Sequence, residues 1–324
     1  MKTKCPYENE NTAMLSRAHG CLLGQLAGDA LGSLVEFESP EMIRHRYPDG
    51  VRELADGGTW DTIAGQPTDD SEMALLLARM LVKVGSYDPK AAFEAYRFWI
   101  DSAPFDCGTT TSAALRGSPN HHSQANGAMM RISPLGIFGA NHPLETVAEW
   151  ARQDAALTHP NPICLQANAL FSMAIAHAIA SGCEATTLYQ CIKQWAADMT
   201  VAPVIMETIE GAAEAPPADY TRQQGWVLIA FRNALWQLLN ASDLEVGVVD
   251  TVMRGGDTDT NAAICGALLG AVYGLDAVPA QWLDCIQNCR PQAGQPGVHR
   301  PRPECFWPVD ALELAKQLVK LPAP

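Results

Sequence analysis

The sequence predicts an all-α protein with a single compact domain. Apolar residues recur at helical spacing in several long segments, whereas the alternating patterns typical of strands are scarce. Segments rich in glycine and proline fall between the apolar segments, and none is long or biased enough in composition to indicate an interdomain linker. We therefore expect one helical bundle over residues 18–324, preceded by an N-terminal extension over residues 1–17.

Four segments show the helical pattern most clearly. They begin at Met73, Asn168, Trp226 and Asp310. The first is expected to end at Gly85, because glycine commonly terminates helices and Asp88-Pro89 follows. Loops are expected at 48–68, 101–134, 157–163, 213–224 and 290–308. In the last loop, Phe306 and Trp307 are expected to pack a proline-rich strap over the core.

Two further helices carry glycine at every fourth position. One contains Gly20, Gly24, Gly28 and Gly32, and the other contains Gly266, Gly270 and Gly274. This spacing places the glycines along one stripe of each helix, where a second backbone can approach closely. Each interior glycine costs about 1 kcal/mol relative to alanine, so a compensating contact is expected. We predict that the two helices lie together at the centre of the bundle.

The overall charge excludes several kinds of partner. Lys and Arg total 22 against 36 Asp and Glu, a net charge of −14, which argues against nucleic acids and anionic membrane surfaces. The N-terminus lacks the apolar region of a signal peptide, and no run is expected to reach the ~20 residues of a membrane span. The ten cysteines include no C-x-x-C pair and are interpreted as reduced thiols. We therefore expect a cytoplasmic protein.

Two acidic clusters precede apolar helices. They are P-T-D-D-S-E-M at 67–73 and R-G-G-D-T-D-T at 254–260. The simplest interpretation of the first is helix capping by Thr68 or Asp69, with Glu72 completing a capping box. Together, however, the clusters supply four carboxylates and two hydroxyls, more than capping requires. If the helix ends meet, these oxygens suit two hard divalent cations, Mg²⁺ or Mn²⁺.

Five segments carry a family resemblance. In chain order they are G-C-L-L-G-Q-L-A-G-D-A-L-G-S-L-V-E-F, P-T-D-D-S-E-M-A-L, A-N-G-A-M-M-R-I-S-P-L-G, L-T-H-P and R-G-G-D-T-D-T-N-A-A-I-C-G-A-L-L-G-A-V-Y-G. They resemble the ADP-ribosylglycohydrolases of the dinitrogenase-reductase-activating type, a compact all-α family with a two-metal site. The resemblance extends from about residue 18 to residue 275.

The resemblance implies a set of site residues. The implied metal ligands are Thr68, Asp69, Asp70, Asp257, Asp259 and Thr260. Glu36 corresponds to the acid beside the reacting ribose, and Asp106 to the acid that faces the leaving group in members acting on ADP-ribosyl-arginine. Asn126 and Gly127 match a turn whose backbone lines the diphosphate, and His159 matches a residue near the ribose–phosphate end.

Each of these assignments has a structural alternative. Glu36 is alternatively a solvated acid at a helix end, Asp106 part of an ordinary turn, and His159 the partner of a backbone group. Asp29 is expected to support the metal site from behind, and Arg131 to have a structural role.

The resulting functional expectation is a metal-dependent hydrolase. It would cleave the N-glycosidic bond between ADP-ribose and a protein side chain, with arginine favoured because F-D-C-G-T-T-T resembles the arginine-directed branch. Hydrolysis of ADP-ribosyl-serine or another ADP-ribose ester or O-glycoside, a two-metal phosphohydrolase activity, and an inactive ADP-ribose-binding relative remain alternatives. Some relatives provide immunity against ADP-ribosylating toxins, so the expected partners are an ADP-ribosylated protein and, through residues 1–17, a toxin.

Overall fold

The computed structural model describes residues 6–320, with side chains from residue 11 onward. This part of the chain forms one all-α domain of fifteen α-helices and two short 3₁₀ helices, without strands. The α-helices are α1 (Pro6–Gly32), α2 (Pro40–Arg46), α3 (Asp69–Val84), α4 (Pro89–Asp101), α5 (Thr109–Leu115), α6 (Ser133–Gly139), α7 (Leu144–Ala156), α8 (Pro162–Ser181), α9 (Ala185–Asp198), α10 (Pro203–Ala212), α11 (Val227–Asn240), α12 (Leu244–Val252), α13 (Thr258–Tyr273), α14 (Ala280–Asn288) and α15 (Ala311–Lys320). The 3₁₀ helices are Leu275–Ala277 and Glu304–Phe306.

The predicted helices are present, with some shifted boundaries. Helix α3 ends as expected, with Gly85 in the left-handed conformation at φ 76°. Helices α11 and α15 begin within one residue of the predicted starts. Helix α8 begins six residues before Asn168, because Asn161 caps the amide of Ile163 and Pro162 occupies the first turn. The predicted loop at 101–134 is wrong in part, since it contains the seven-residue helix α5 and the start of α6.

The glycine stripes of α1 and α13 meet as predicted. A Cβ atom on Gly24 would collide with the carbonyl of Gly266, and a Cβ atom on Gly266 would collide with the carbonyl of Gly24. The same relationship joins Gly20 and Gly270. This close backbone packing brings the C-terminal end of α1 beside the N-terminal end of α13. There the Thr258 hydroxyl donates to the carbonyl of Gly32 at 2.7 Å. The contact therefore positions one of the two acidic clusters.

Helix α8 corrects one expectation from the sequence. By length and composition this helix alone, among the residues with described positions, is apolar enough to cross a membrane. The sequence prediction missed it because Pro162 and the polar residues Gln166 and Asn168 interrupt its apolar run. In the fold, 72% of the qualifying window is buried inside the protein, so α8 packs as a core helix.

The two ends of the chain bear on the domain prediction. Helix α1 continues through residues 17 and 18, so the predicted boundary between extension and domain lies within one helix. Residues 1–5 of the extension lie outside the described residues. The division into extension and domain therefore stays a prediction. At the other end, Phe306 is buried as expected, whereas Trp307 is half-buried and donates its indole N–H to the carbonyl of Arg302 at 2.8 Å. We refer to residues 290–308 as the C-terminal strap.

Candidate metal centre and active site

The N-terminal ends of α3 and α13 meet, as the two acidic clusters predict. The Thr260 hydroxyl lies 3.3 Å from Asp70 Oδ2, and the Thr68 hydroxyl lies 3.4 Å from the same oxygen. Asp70 is almost completely buried, and its Oδ1 atom has no hydrogen-bond partner among the described residues. A buried carboxylate oxygen without a donor is costly unless a cation or another ligand compensates it.

The prediction of Thr68 at the N-cap of α3 is confirmed, but side-chain capping and the capping box with Glu72 are wrong. Thr68 and Asp257 occupy the N-cap positions of α3 and α13, but neither makes a side-chain capping hydrogen bond. Glu72 does not complete a capping box either. Its carboxylate accepts two hydrogen bonds from Arg302, at 2.7 and 2.8 Å, and one from the Trp99 indole at 2.8 Å. The clustered oxygens thus remain available for ligands.

Asp29 holds the start of α3 from behind. Its carboxylate accepts the Thr68 hydroxyl at 2.8 Å and the backbone N–H groups of Thr68 and Ser71 at 3.1 Å. Because the Thr68 hydroxyl donates its proton to Asp29, the lone pairs of that oxygen stay free. Asp29 therefore orients Thr68, which agrees with the supporting role expected for it.

A cavity of about 420 Å³ opens at this junction. Nine of the eleven predicted site residues line it: Glu36, Asp69, Asp106, Asn126, Gly127, His159, Asp257, Asp259 and Thr260. The other two, Thr68 and Asp70, contact the cluster without lining the cavity. No lysine or arginine is among the lining residues. The cavity is therefore strongly acidic, in agreement with a site built for cations.

The carboxylates in this cavity are close enough to share a ligand. One oxygen from each of Glu36, Asp106 and Asp259 lies within 4.8 Å of the others. Burial, followed by the charge of Asp257, raises the pKa of Glu36 to about 8. Burial, followed by the charge of Asp69, raises the pKa of Asp106 to about 10. Shifts in this direction mean that joint ionisation of these groups is unfavourable unless positive charge is bound among them.

The donor set fits the divalent cations expected from the sequence. Carboxylate and hydroxyl oxygens converge from two helix ends, and no histidine or cysteine belongs to the predicted ligand groups. Mg²⁺ and Mn²⁺ prefer such oxygen ligands. The unpartnered Asp70 oxygen and the mutual repulsion of the carboxylates both agree with cation binding.

The turn after residue 124 forms a second wall of the cavity. The Asn126 side-chain amide donates to Asp257 Oδ2 at 2.7 Å, a contact that the sequence did not indicate. The backbone N–H of Asn126 already donates to the Gly225 carbonyl at 2.9 Å, so of the two predicted residues only Gly127, which lines the cavity, has a backbone N–H without a hydrogen bond to the described residues. A Cβ atom on Gly127 would lie 2.9 Å from the His159 ring, so only glycine fits here without displacement. Free amides of this kind can receive phosphate oxygens.

His159 is a neutral, buried side chain in this wall. Burial, followed by the charge of Arg131, lowers its pKa to about 3. Its Nδ1 atom pairs with the Thr158 hydroxyl at 2.8 Å, and Nε2 is buried without a partner in the described structure. The alternative of a histidine satisfied by a backbone group is therefore wrong, because Nε2 remains available to a ligand.

Arg131 supports the same turn through a buried ion pair. It donates Nε to Asp154 Oδ1 at 3.2 Å and one terminal N–H to the Gly127 carbonyl at 3.1 Å. Its guanidinium also lies 4.3 Å from the centre of the Tyr96 ring. The expected structural role is confirmed, and it includes anchoring the turn that lines the cavity.

Several residues in contact with the site were missed by sequence reasoning. The Trp60 indole donates to Glu36 Oε2 at 2.6 Å, and the Gly108 amide donates to Asp69 Oδ2 at 3.2 Å. Phe37, beside Glu36, lines the cavity with φ 66° and is exposed. Of these three residues, only Phe37 could have been predicted from the sequence, because it follows Glu36 directly. The contacts of Trp60 and Gly108 depend on loop geometry, which the sequence does not reveal.

Comparison with known proteins agrees with this architecture. The family model described as ADP-ribosylglycohydrolase matches residues 10–321. The chain is 30% identical to ADP-ribosyl-[dinitrogen reductase] glycohydrolase of Rhodospirillum rubrum, over 82% of this chain and 89% of that protein. It is 27% identical to ADP-ribosylarginine hydrolase Tri1 of Pseudomonas putida (strain GB-1), over 84% and 74% respectively. A solved structure titled ADP-ribosylglycohydrolase-related protein complex matches with a TM-score of 0.77 and 27% identity, covering 96% of this chain and 100% of that one.

Proposed function

Because the chain belongs to the ADP-ribosylglycohydrolase family, we propose that it hydrolyses the N-glycosidic bond between ADP-ribose and an arginine side chain of a modified protein. The reaction would reverse mono-ADP-ribosylation. The observation that carries this proposal is the acidic cavity, in which Glu36, Asp106 and Asp259 approach one another without a basic residue in the lining.

The leaving group is the reason for preferring arginine. The guanidinium of arginine is planar, cationic and suited to a carboxylate, and Asp106 offers such a carboxylate at the cavity. A serine hydroxyl carries no charge, so as a leaving group it is stabilised less by the Asp106 carboxylate. Relatives named as ADP-ribosylarginine hydrolases support the same preference.

We assign the predicted ligands to two divalent cations, Mg²⁺ or Mn²⁺. These ligands are Thr68, Asp69, Asp70, Asp257, Asp259 and Thr260. When bound, the cations would supply Lewis-acid polarisation of the ribose and positive charge in an acidic cavity. The hydroxyl of Thr68 is oriented for this role by Asp29, and the carboxylate of Asp257 is oriented by Asn126.

The remaining residues account for the chemistry of bond cleavage. Glu36 orients a water molecule towards the anomeric carbon and accepts its proton at the carboxylate. The electron pair of the broken C–N bond leaves with the guanidino group, which departs as neutral guanidine and takes up a proton to become argininium; Asp106 accepts hydrogen bonds from its N–H groups. The backbone N–H of Gly127 binds the diphosphate, and Nε2 of His159 contacts the ribose–phosphate end.

The cellular setting is also a proposal. All nine cysteines among the described residues are free thiols, which supports a reducing compartment such as the cytoplasm. The partner we propose is the ADP-ribosylated protein itself. A role in immunity against an ADP-ribosylating toxin, with residues 1–17 as the contact, is a further proposal that deletion of that segment would test by toxin binding.

The experiment is release of ADP-ribose from ADP-ribosyl-arginine protein and from an ADP-ribosyl-serine peptide, each with Mg²⁺, Mn²⁺ or EDTA. We expect release from arginine only, dependent on metal, and lower by about 100-fold or more in Asp257→Ala. Asp198→Asn is the matched control, because Asp198 lies at the end of α9 and hydrogen-bonds to Gln194. Release from serine would contradict the role of Asp106. Tight ADP-ribose binding without release from either substrate would contradict hydrolysis altogether.

A further inference from the structure

We propose that Trp60 is a positioning residue for Glu36, and that Arg300 of the C-terminal strap holds Trp60 in place. The inference rests on the proposed function, in which Glu36 orients the attacking water. Neither residue was indicated by the sequence. Trp60 also lines the cavity, but the role inferred for both residues is exerted through hydrogen bonds to neighbouring groups.

Glu36 lies on a segment that requires external support. It follows the end of α1 by four residues, in a turn, so helical hydrogen bonds do not fix it. The next residue, Phe37, has φ 66°, which is an unfavourable conformation for a bulky side chain. Interactions with other segments must therefore maintain the orientation of the Glu36 carboxylate.

Residues 59 and 60 supply that support from a neighbouring loop. The Trp60 indole N–H donates to Glu36 Oε2 at 2.6 Å, and the Thr59 hydroxyl donates to the Glu36 carbonyl at 3.1 Å. The loop itself is closed by reciprocal backbone hydrogen bonds between Gly57 and Thr62, at 2.7 and 3.0 Å. The indole occupies one carboxylate oxygen and leaves Oε1 for water or substrate.

The C-terminal strap fixes this loop from the outside. Arg300 donates Nε to the Trp60 carbonyl at 2.8 Å, while the Arg300 carbonyl accepts the Gln66 side-chain amide at 2.7 Å. The Trp60 ring also lies 6.1 Å from the ring of Phe105, the residue before Asp106. Trp60 thus connects the strap, Glu36 and the segment that carries Asp106, which is the arrangement expected of a residue that sets the geometry of both acids.

The experiment compares Trp60→Phe, Arg300→Ala, Arg300→Lys and the double variant W60F/R300A with the wild-type protein loaded with metal. Trp60→Phe keeps the aromatic ring and removes the N–H donor. We expect it to lower kcat by about tenfold or more, with KM, Mg²⁺ affinity and ADP-ribose affinity little changed. Arg300→Ala should lower kcat less, Arg300→Lys should recover part of the loss, and the double variant should be no worse than W60F.

Trp282→Phe is the matched control, because its indole donates to the carbonyl of Arg52 rather than to a carboxylate of the site. Unchanged kcat in W60F, or additive losses in the double variant, would overturn the inference. A second measurement does not depend on turnover. The Trp60 indole N–H resonance is assigned by its absence from the spectrum of ¹⁵N-labelled W60F. It should shift in Glu36→Gln and in R300A. If wild-type protein hydrolyses neither substrate, the proposed function fails, and an unmoved resonance would separately overturn the contact with Glu36.

Discussion

The hydroxyl of Thr260 lies 3.3 Å from Oδ2 of Asp70, although 190 residues separate them in the chain. This contact joins the first turns of α3 and α13, two helices that each begin with an acidic cluster. The packing of α1 against α13 makes it possible, because the glycine stripes allow the backbones to approach closely. The candidate metal centre is therefore a direct consequence of helix packing in the core.

Removing the cations should destabilise the protein. A ligand that binds only the folded state at a hundredfold excess over Kd stabilises it by about 2.7 kcal/mol. We expect Mg²⁺ or Mn²⁺ to raise Tm by several degrees over protein in EDTA, measured by differential scanning calorimetry. Asp70→Asn should reduce that rise, whereas Asp198→Asn on the surface should keep it. An equal rise in both variants would place the cations elsewhere.

The stability of the metal-free protein should fall as the pH rises. Burial raises the pKa of Asp29 to about 7. Burial, followed by the charge of Asp257, raises the pKa of Glu36 to about 8. The folded state thus binds more protons than the unfolded state above about pH 4, and stability declines as the pH rises through the folded-state pKa values. We expect a lower Tm at pH 8 than at pH 5 in EDTA, with a smaller difference in Glu36→Gln. Added Mg²⁺ should raise Tm more at pH 8; a larger rise at pH 5 would contradict the linkage.

The sequence was sufficient to predict the helical class, the central glycine contact and the convergence of the two acidic clusters. Each of these depends on short-range periodicity or on residues at helix starts. The sequence was insufficient to predict the contact between Trp60 and Arg300, which lie 240 residues apart and meet through irregular loops. It also misassigned Glu72 to a capping box, because nothing in the local sequence indicates that Arg302 reaches this carboxylate. Long-range contacts between loops have no periodic signal.

Substitution of the central glycines should be severely destabilising. A Cβ atom on Gly24 would meet the backbone carbonyl of Gly266, which cannot move without separating α1 from α13. Overpacking in a core typically costs 1–3 kcal/mol, and we expect Gly24→Ala to lose about 3 kcal/mol or more of the free energy of unfolding. Gly211→Ala on α10 is the matched control, since the nearest atoms there belong to the flexible Arg232 side chain. Chemical denaturation would measure both. Because helix propensity alone favours alanine over glycine, equal losses in the two variants would contradict the collision between the α1 and α13 backbones as the cause.

Loss of the buried ion pair between Arg302 and Glu72 should weaken both stability and metal binding. The two side chains are almost fully buried, and Arg302 also donates to the Ser102 carbonyl at 3.0 Å. Arg302→Met leaves the Glu72 carboxylate buried without its cation, and removal of one partner of such a pair costs about 3–5 kcal/mol. Because Glu72 lies in the first turn of α3, beside Asp69 and Asp70, we also expect weaker Mg²⁺ affinity by calorimetry. The double variant R302M/E72Q should recover part of the free energy of unfolding, since the buried charge is then absent. A double variant as unstable as the sum of the single variants would show that the two side chains act independently.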